Sequence, residues 1–340
     1  MAGGWFGGWP ARDRWWRYAR WVGLALVQFI ALVVVFLIGT RLLGVDNRYP
    51  IAIVMAALPT ALFVAYPLAV AGLWRRRVVL ATVGLVGVAV HLWWFGGMLP
   101  VVHQRRALPH GAARVGVLTA NLLYLNHDTA SVGPQIARLN PDVIAFEEFS
   151  TASSPAIRAA PELDAYPNRM LHPSGNSDGL ALYSKFPLDN ERVVSLAGRQ
   201  VFVVDVVTPN GPVTFVVVHT VAPIDSTSTG IWSRELGEVA SLVRGLHGPI
   251  VVLGDFNATL GNKALTDVVD AGHLTDTLNA TGDGYAMTWP ANRRVLPPVV
   301  RPDHVFVGRG VVALDGHTVS VHGSDHRAII TDVGVPAPQR

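Results

Sequence analysis

The chain has 340 residues, enough for one enzymatic domain of about 200 to 250 residues and an accessory segment. Half of the residues are hydrophobic and only 15% are charged, which predicts that part of the chain faces lipid. The absence of cysteine excludes disulfide frameworks, thiolate metal sites and cysteine nucleophiles.

Charge is divided unevenly along the chain. Residues 1–114 carry 12 Lys and Arg against 2 Asp and Glu, whereas residues 115–340 carry 15 against 22. The larger part is therefore acidic, although the whole chain has a net charge of +3. Binding to a phosphate backbone requires a basic face, so nucleic acid is disfavoured as a partner. No obligate protein partner is inferred.

Three apolar runs predict a multi-pass membrane anchor over residues 21–100. They are residues 21–40, 51–73 and 78–98. Each has the roughly 20 residues that cross a hydrocarbon layer of about 30 Å, and none of them fits a cleaved signal peptide well. Each is therefore predicted to be a transmembrane α-helix.

The arginines of the short loops predict the orientation of this anchor in the cell membrane. Seven arginines precede the first run or follow the second, against four on the opposite side. The positive-inside rule then makes residues 1–20 a cytoplasmic segment and places everything after the third run outside the cytoplasm. Residues 101–113 are predicted to be a short linker to a catalytic domain over residues 114–340.

Short apolar runs alternate with helical segments beyond residue 114. Strands are predicted at 114–120, 143–146, 180–184, 201–207, 213–218, 250–253, 304–307 and 328–333. The Asn-Gly turn within residues 209–212 predicts a hairpin, and helical spacing predicts helices over 129–139 and 233–246. The pattern predicts the α/β class, as a two-sheet sandwich covered by helices.

Polar side chains stand at the ends of these strands. They are Asn121, Glu147, Glu148, His219, Asp255, Asn257, Asp303, Asp325 and His326. Carboxylate oxygens are the ligands that Mg²⁺ prefers, and a histidine general base needs a carboxylate to fix its tautomer. Each cluster alone also fits a turn, a solvated strand end or a buried histidine. In combination they indicate metal-assisted phosphoester hydrolysis.

This ordered set resembles the endonuclease/exonuclease/phosphatase superfamily, whose fold is DNase I-like. The resemblance rests on Asn121, residues 144–148 and 179–187, His219, and residues 254–257, 301–306 and 323–328. It implies a Mg²⁺ or Mn²⁺ cofactor bound by Glu148, with Asn121 assisting and Asp325 at the metal. Glu147 stands where relatives often have Gln.

The resemblance also implies a division of catalytic roles. His326 would be the general base, oriented by Asp303, and His219 would stabilise the developing charge. Asp255 and Asn257 would orient the attacking water and the phosphate, so that Asn257 also binds substrate. The acidic residue that supports His219 in some relatives stays open between Asp164 and Asp178.

Three anchoring helices joined to this domain are similar to the actinobacterial membrane proteins associated with glycopeptide-antibiotic resistance, called VanJ-like. That narrower resemblance implies a link to antibiotic resistance at the cell wall. We also expect Trp232 to contribute to substrate binding by dipping into the membrane interface; the alternative is that it anchors the loop 221–232 by packing.

The expected substrate follows from location and charge. A linker of about a dozen residues spans roughly 20 Å, so the acidic domain stays near the outer leaflet of the bilayer. We expect a phosphoesterase that acts on a lipid-linked phosphate or pyrophosphate, such as a polyprenyl carrier, or on a phospholipid. The alternatives are an extracytoplasmic nuclease and a non-enzymatic binding or sensor protein on the same fold.

Overall fold

The structure is a computed structural model and describes residues 11–99, 106–293 and 295–337. The predicted segments 1–20 and 101–113 therefore lie partly outside the described residues. The chain forms two compact units. The smaller comprises Met1–Leu43 and Thr60–Trp94, and the larger comprises Gly44–Pro59 and Phe95–Arg340. The larger unit thus includes residues 44–59, which the sequence had assigned to the anchor.

Ten α-helices and twelve strands are described. The helices are α1 (Ala11–Leu43), α2 (Ile51–Ala56), α3 (Leu58–Ala61), α4 (Ala65–Trp74), α5 (Val78–Phe95), α6 (Val132–Leu139), α7 (Ser154–Arg158), α8 (Ser226–Gly245), α9 (Lys263–Gly272) and α10 (Thr277–Thr281). The strands are β1 (Ala113–Asn121), β2 (Val143–Glu147), β3 (Asn168–His172), β4 (Leu180–Ser184), β5 (Leu188–Leu196), β6 (Arg199–Thr208), β7 (Gly211–His219), β8 (Ile250–Asp255), β9 (Thr275–Asp276), β10 (Asp303–Gly308), β11 (Val312–Ser320) and β12 (Arg327–Val335).

The apolar helices correct the prediction of three spans of similar length. In the described residues, two helices are long and apolar enough to cross a membrane, Trp15–Leu43 and Val78–Met98, and Leu58–Trp74 is shorter. The predicted run 51–73 is interrupted because α2 ends at Ala56 and α3 begins at Leu58. Pro59 lies in the first turn of α3, where its missing backbone N–H is tolerated, but it cannot donate to the turn before it, which favours the break at Ala57.

The larger unit is the predicted α/β sandwich of two sheets, which is confirmed. The strand orders are β11-β12-β1-β2-β4-β3 and β5-β6-β7-β8-β10-β9. The inner faces of both sheets supply one core, in which Val117, Leu182, Val204, Phe215 and Leu253 are buried. Alternate residues of a strand point to opposite faces, so the outer faces are free to pack against helices.

Helices cover the outer face of each sheet. Val132 and Ile136 of α6 pack on the first sheet, and Leu236 of α8 and Leu265 of α9 pack on the second. α8 begins seven residues earlier than predicted because Asp225 caps it, accepting a hydrogen bond from the Ser228 amide in a capping box.

The predicted hairpin at residues 209–212 is confirmed, since β6 and β7 pair antiparallel around it. Four strands, β3, β5, β9 and β11, were not predicted. β5 is mostly exposed, so its sequence lacks the apolar alternation by which a half-buried strand is recognised.

Candidate active site

The ends of five strands bring the predicted polar residues together. In the first sheet β1 and β2 run parallel and Asn121 pairs with Glu147. In the second sheet β7 and β8 run parallel, so His219 pairs with Asp255, which also pairs with Asp303 of antiparallel β10. Gly254 permits this approach, because it has φ +131° and a Cβ there would lie 1.9 Å from the Val218 carbonyl oxygen.

Glu148 and Asp255 form an acidic pair around one amide group. The Asn121 side-chain amide donates to Glu148 Oε1 at 3.1 Å and to Asp255 Oδ2 at 2.9 Å. His219 Nε2 lies 3.9 Å from each of the same two oxygens. Glu148 follows β2 with φ 55°, and its Oε2 accepts the Tyr124 amide at 2.8 Å. Four predicted residues therefore converge on one point.

Burial controls the protonation of this group. It lowers the pKa of the His219 imidazole to about 4, although the Asp255 carboxylate raises it, so His219 is neutral at pH 7. Burial likewise raises the pKa of the Glu148 carboxyl above its usual value, against the hydrogen bonds from Tyr124 and Asn121. The pKa of Glu147 is raised well above its usual value by burial, against one hydrogen bond from Thr119.

His326 and Asp303 form the predicted pair. His326 Nδ1 lies 2.9 Å from Asp303 Oδ2, which also accepts a hydrogen bond from the Thr288 hydroxyl at 2.5 Å. His326 Nε2 lies 3.8 Å from Asp255 Oδ2. Burial alone would lower the pKa of His326, but the carboxylates of Asp303 and Asp255 raise it to about 10. Ser324 fixes this loop, since its hydroxyl donates to the Asn121 carbonyl and accepts from the His326 amide.

An Asp303→Asn variant tests this pair through the pH dependence of stability. The folded pKa of His326 is above the ordinary value of 6.5, so the pair stabilises fully below that value and loses its effect as pH rises towards 10. We expect D303N to lower the free energy of unfolding by about 3 kcal/mol near pH 6 and progressively less towards pH 10. Denaturant unfolding of the detergent-solubilised protein with EDTA measures this, with Asp315→Asn as control. A loss independent of pH would contradict the assignment.

The structure places the remaining predicted residues as follows. The Asn257 backbone amide donates to Asp255 Oδ1 and its side-chain amide donates to the Thr220 carbonyl, which leaves a second side-chain hydrogen for a phosphoryl oxygen. Asp325 adjoins His326 in the chain and accepts a hydrogen bond from the Trp289 indole at 3.1 Å. The structure thus shows Asp325 next to the site, while metal ligation by it stays a prediction.

Trp232 corrects one substrate-binding prediction. Its side chain is fully buried in the core between α8 and the second sheet, and its indole donates to the Phe256 carbonyl at 3.2 Å. Trp232 therefore packs in the protein interior, which was the alternative to membrane contact, because it belongs to α8. The position of the acidic residue supporting His219 stays unassigned, since Asp164 pairs with Arg169 and Asp178 with Arg199.

A buried ionic network behind the site was missed in the sequence. Asp276 accepts hydrogen bonds from Arg301 at 2.9 Å and lies 2.7 Å from His304 Nδ1. His304 Nε2 in turn lies 3.2 Å from the Ala258 carbonyl, next to Asn257. Arg301 holds the pKa of Asp276 below its usual range, although burial opposes this. The charged Arg-Pro-Asp-His run at 301–304 indicated an ionic cluster in the sequence, but Asp276, the partner of Arg301, lies 25 residues earlier in the chain.

The donor set suits a divalent cation. Oxygens of Glu148 and Asp255 converge without an opposing cationic side chain between them, and an oxygen-rich, anionic site is what Mg²⁺ and Mn²⁺ prefer. Ligand atoms of Asp255, Asp303 and His326 also lie within 4.8 Å of one another. Because Nδ1 of His326 already faces Asp303, the carboxylates are the better ligands.

Comparisons with known proteins agree with this geometry. The sequence matches the model of a family described as the Endonuclease/Exonuclease/phosphatase family over residues 118–326, more than half of the chain. No curated protein matches the chain.

Several solved structures share the fold. An endonuclease/exonuclease/phosphatase from Beutenbergia cavernae is 17% identical, with a TM-score of 0.51 over 66% of this chain and 72% of that one. Truncated Caenorhabditis elegans TDP2 is 17% identical, with a TM-score of 0.53 over 65% and 97%. D. rerio TDP2, complexed with a single-strand DNA product, is 14% identical, with a TM-score of 0.55 over 65% and 99%. At this identity the likeness concerns the fold alone, which is consistent with the DNase I-like sandwich.

Proposed function

Because the chain belongs to the endonuclease/exonuclease/phosphatase family, we propose that it is a membrane-anchored, metal-dependent phosphoesterase whose substrate is a lipid-linked phosphate or pyrophosphate, or a phospholipid. The observation that supports it is the convergence of Glu148, Asp255, His219 and the His326–Asp303 pair at one end of the sandwich. The metal is proposed to be Mg²⁺ or Mn²⁺.

Each residue of the site has a definite task in such a reaction. With Nδ1 directed at Asp303, His326 presents Nε2 to accept a proton from the attacking water. Neutral His219 and the Asn257 amide donate hydrogen bonds to phosphoryl oxygens. A divalent cation held by Glu148 and Asp255 would neutralise charge on the phosphoryl oxygens and on these carboxylates. Offsetting the Asp255 carboxylate would also remove one of the charges that raise the pKa of His326, beside the larger effect of Asp303.

The contacts of residues 44–59 support an odd number of crossings in total, as the proposed three crossings require. Asp46, Ala52 and Ala56 each accept a hydrogen bond from residues 259–263 of the sandwich unit. Both partners must therefore lie on the same side of a membrane, and an even number of crossings separates Pro59 from Phe95. Helices Leu58–Trp74 and Val78–Met98 then cross as a pair or not at all. With α1 as the first crossing, the sandwich is extracytoplasmic if the N-terminus is cytoplasmic.

Cysteine labelling tests this topology. The chain contains no cysteine, so single substitutions can be labelled without background. We expect Glu162→Cys to react with a membrane-impermeant maleimide on intact cells and Arg76→Cys to react only after lysis. Labelling of both on intact cells would show that Leu58–Trp74 and Val78–Met98 do not cross as a pair.

Substrate release tests the activity. The detergent-purified full chain is incubated with Mg²⁺ and polyprenyl pyrophosphate, phospholipid vesicles or plasmid DNA, with His326→Ala as control. Release of phosphate or headgroup from a lipid, lost in the variant, supports the proposal. Cleavage of DNA alone would replace it with an extracytoplasmic nuclease, and metal-independent lipid binding without release would favour a sensor. A role in glycopeptide resistance, as in VanJ-like proteins, is part of the proposal and is tested by antibiotic susceptibility of cells carrying His326→Ala.

A further inference from the structure

A cavity next to the catalytic residues is formed partly by the segment 44–59. It has a volume of about 230 Å³, and its lining includes Asn257 and His326. One wall is supplied by Ala52, Ile53 and Ala56 of α2. The remaining lining comes from the sandwich: Ala222, Pro223, Ile224, Ala258, Thr259, Trp289, Val300 and Pro302.

The α2 wall is firmly attached to the sandwich unit. The Thr259 hydroxyl donates to the Ala56 carbonyl at 2.8 Å, and the Asn262 side-chain amide donates to the Ala52 carbonyl at 3.0 Å. Gly261 permits this approach, since a Cβ there would lie 2.1 Å from the Met55 carbonyl oxygen. Ala52 and Met55 are almost completely buried. The wall is therefore a fixed part of the site.

The chemistry of the lining selects an apolar occupant. Eleven of the thirteen lining residues carry no charge and no side-chain amide, and none of those described is Lys or Arg. A polynucleotide would bring further phosphates that need cations, and the cavity offers none. Aliphatic and aromatic side chains instead stabilise hydrocarbon, in proportion to the area removed from water.

The position of the cavity indicates which hydrocarbon would occupy it. Because His326 and Asn257 belong to the lining, an occupant of the cavity lies beside the catalytic residues, and a hydrocarbon attached to the reacting phosphate would be within reach of it. The volume is below the roughly 300 to 1,000 Å³ of pockets for whole small molecules, so only the proximal part of a chain fits. The segment 44–59, which supplies one wall of the cavity, is also continuous in sequence with α1 before it and with the apolar helix Leu58–Trp74 after it.

We propose that this cavity binds the first carbons of the alkyl or polyprenyl chain of a lipid phosphate, with α2 as a wall of the active site. The inference rests on the proposed phosphoesterase activity and deepens it. The segment 44–59 then determines specificity for the lipid chain, and the catalytic centre is incomplete without it.

A chain-length series tests the proposal with the full-length enzyme. Substrates are p-nitrophenyl alkyl phosphates of increasing alkyl length, whose reacting group is constant. We expect kcat/KM to rise about fourfold for each added CH₂ until the cavity is filled, and then to level off. Ala56→Phe, which fills the cavity, is expected to lower the long-chain to methyl ratio of kcat/KM by about tenfold or more and to move the plateau to a shorter chain.

Two further variants keep the result interpretable. Ile224→Ser alters a lining residue of the sandwich whose side chain is 69% exposed, so it acts without disturbing the core and is expected to lower the same ratio. Val54→Phe changes an exposed residue of the same helix that does not line the cavity, and is expected to leave the ratio unchanged.

The outcomes separate the two levels of the proposal. A wild-type enzyme that shows no dependence on chain length, or a ratio unaffected in both A56F and I224S, overturns the cavity assignment while lipid-phosphate hydrolysis stands. An enzyme that cleaves DNA but neither these esters nor lipid phosphates overturns the proposed function itself.

Discussion

Replacing His326 with Ala is expected to lower kcat/KM for phosphoester hydrolysis by about 10²- to 10⁴-fold, because it removes the general base. The residue is buried, its Nδ1 is held by Asp303, and its Nε2 faces Asp255 across 3.8 Å. His219 also lies at the acidic pair of Glu148 and Asp255, but its Nδ1 has no hydrogen-bond partner. Among the described residues, His326 is therefore the imidazole that has both a carboxylate partner and a position beside the acidic pair.

Steady-state hydrolysis of a soluble phosphodiester measures this effect. His322→Ala is the matched control, since His322 lies in the same loop but its side chain is 54% exposed and pairs with Asp128 at 3.7 Å. We expect H322A to retain the wild-type rate. Combining H326A with D303N is expected to add little to H326A alone, because residues acting as one unit are not additive. An H326A enzyme within tenfold of the wild type would reject His326 as the base.

Replacing Glu148 with Gln is expected to abolish the stabilisation of the folded protein by Mg²⁺ or Mn²⁺. The two carboxylates of Glu148 and Asp255 share the single Asn121 amide, so a cation bound between them would relieve their repulsion. A cation at a hundred times its Kd stabilises by about 2.7 kcal/mol, or roughly 5 to 10 °C in Tm for a unit of this size.

Thermal unfolding with and without the metal measures this change independently of activity. Without metal, E148Q is expected to unfold at the wild-type temperature or slightly above it, because the like-charge repulsion is gone. Glu162→Gln, at an exposed position, serves as control and is expected to keep the full shift. A shift that survives in E148Q would assign the metal to other ligands, with Asp325→Asn as the next variant.

The two histidines show how one fold prepares a proton acceptor and a neutral donor side by side. Both are buried, yet burial lowers the pKa of His219 to about 4, whereas three carboxylates raise that of His326 to about 10. The difference comes from the partner groups. His326 has Asp303 at hydrogen-bond distance, while the nearest carboxylate oxygens of His219 are 3.9 Å away.

The sequence by itself determined the sandwich and identified most of the residues that meet at the candidate site. Strands of alternating or continuous apolar residues are recognisable without tertiary contacts, and a polar residue directly before or after such a strand stands at an end of that strand. Asn121, Glu148, His219, Asp255 and His326 were therefore identifiable from local patterns and from their order in the chain.

Only the tertiary structure decided which groups support that site. Thr288 and Ser324 are polar residues of ordinary loops, and Asp276 ends the two-residue strand β9; the roles of all three arise from partners far away in sequence. Trp232 was likewise expected at the membrane interface, whereas the packing of α8 places it in the core. Residues 51–59 were assigned to a membrane-spanning run because hydropathy measures only composition. The attachment of this part of the chain to residues 259–263 depends on backbone carbonyls and a glycine, which no hydropathy pattern encodes.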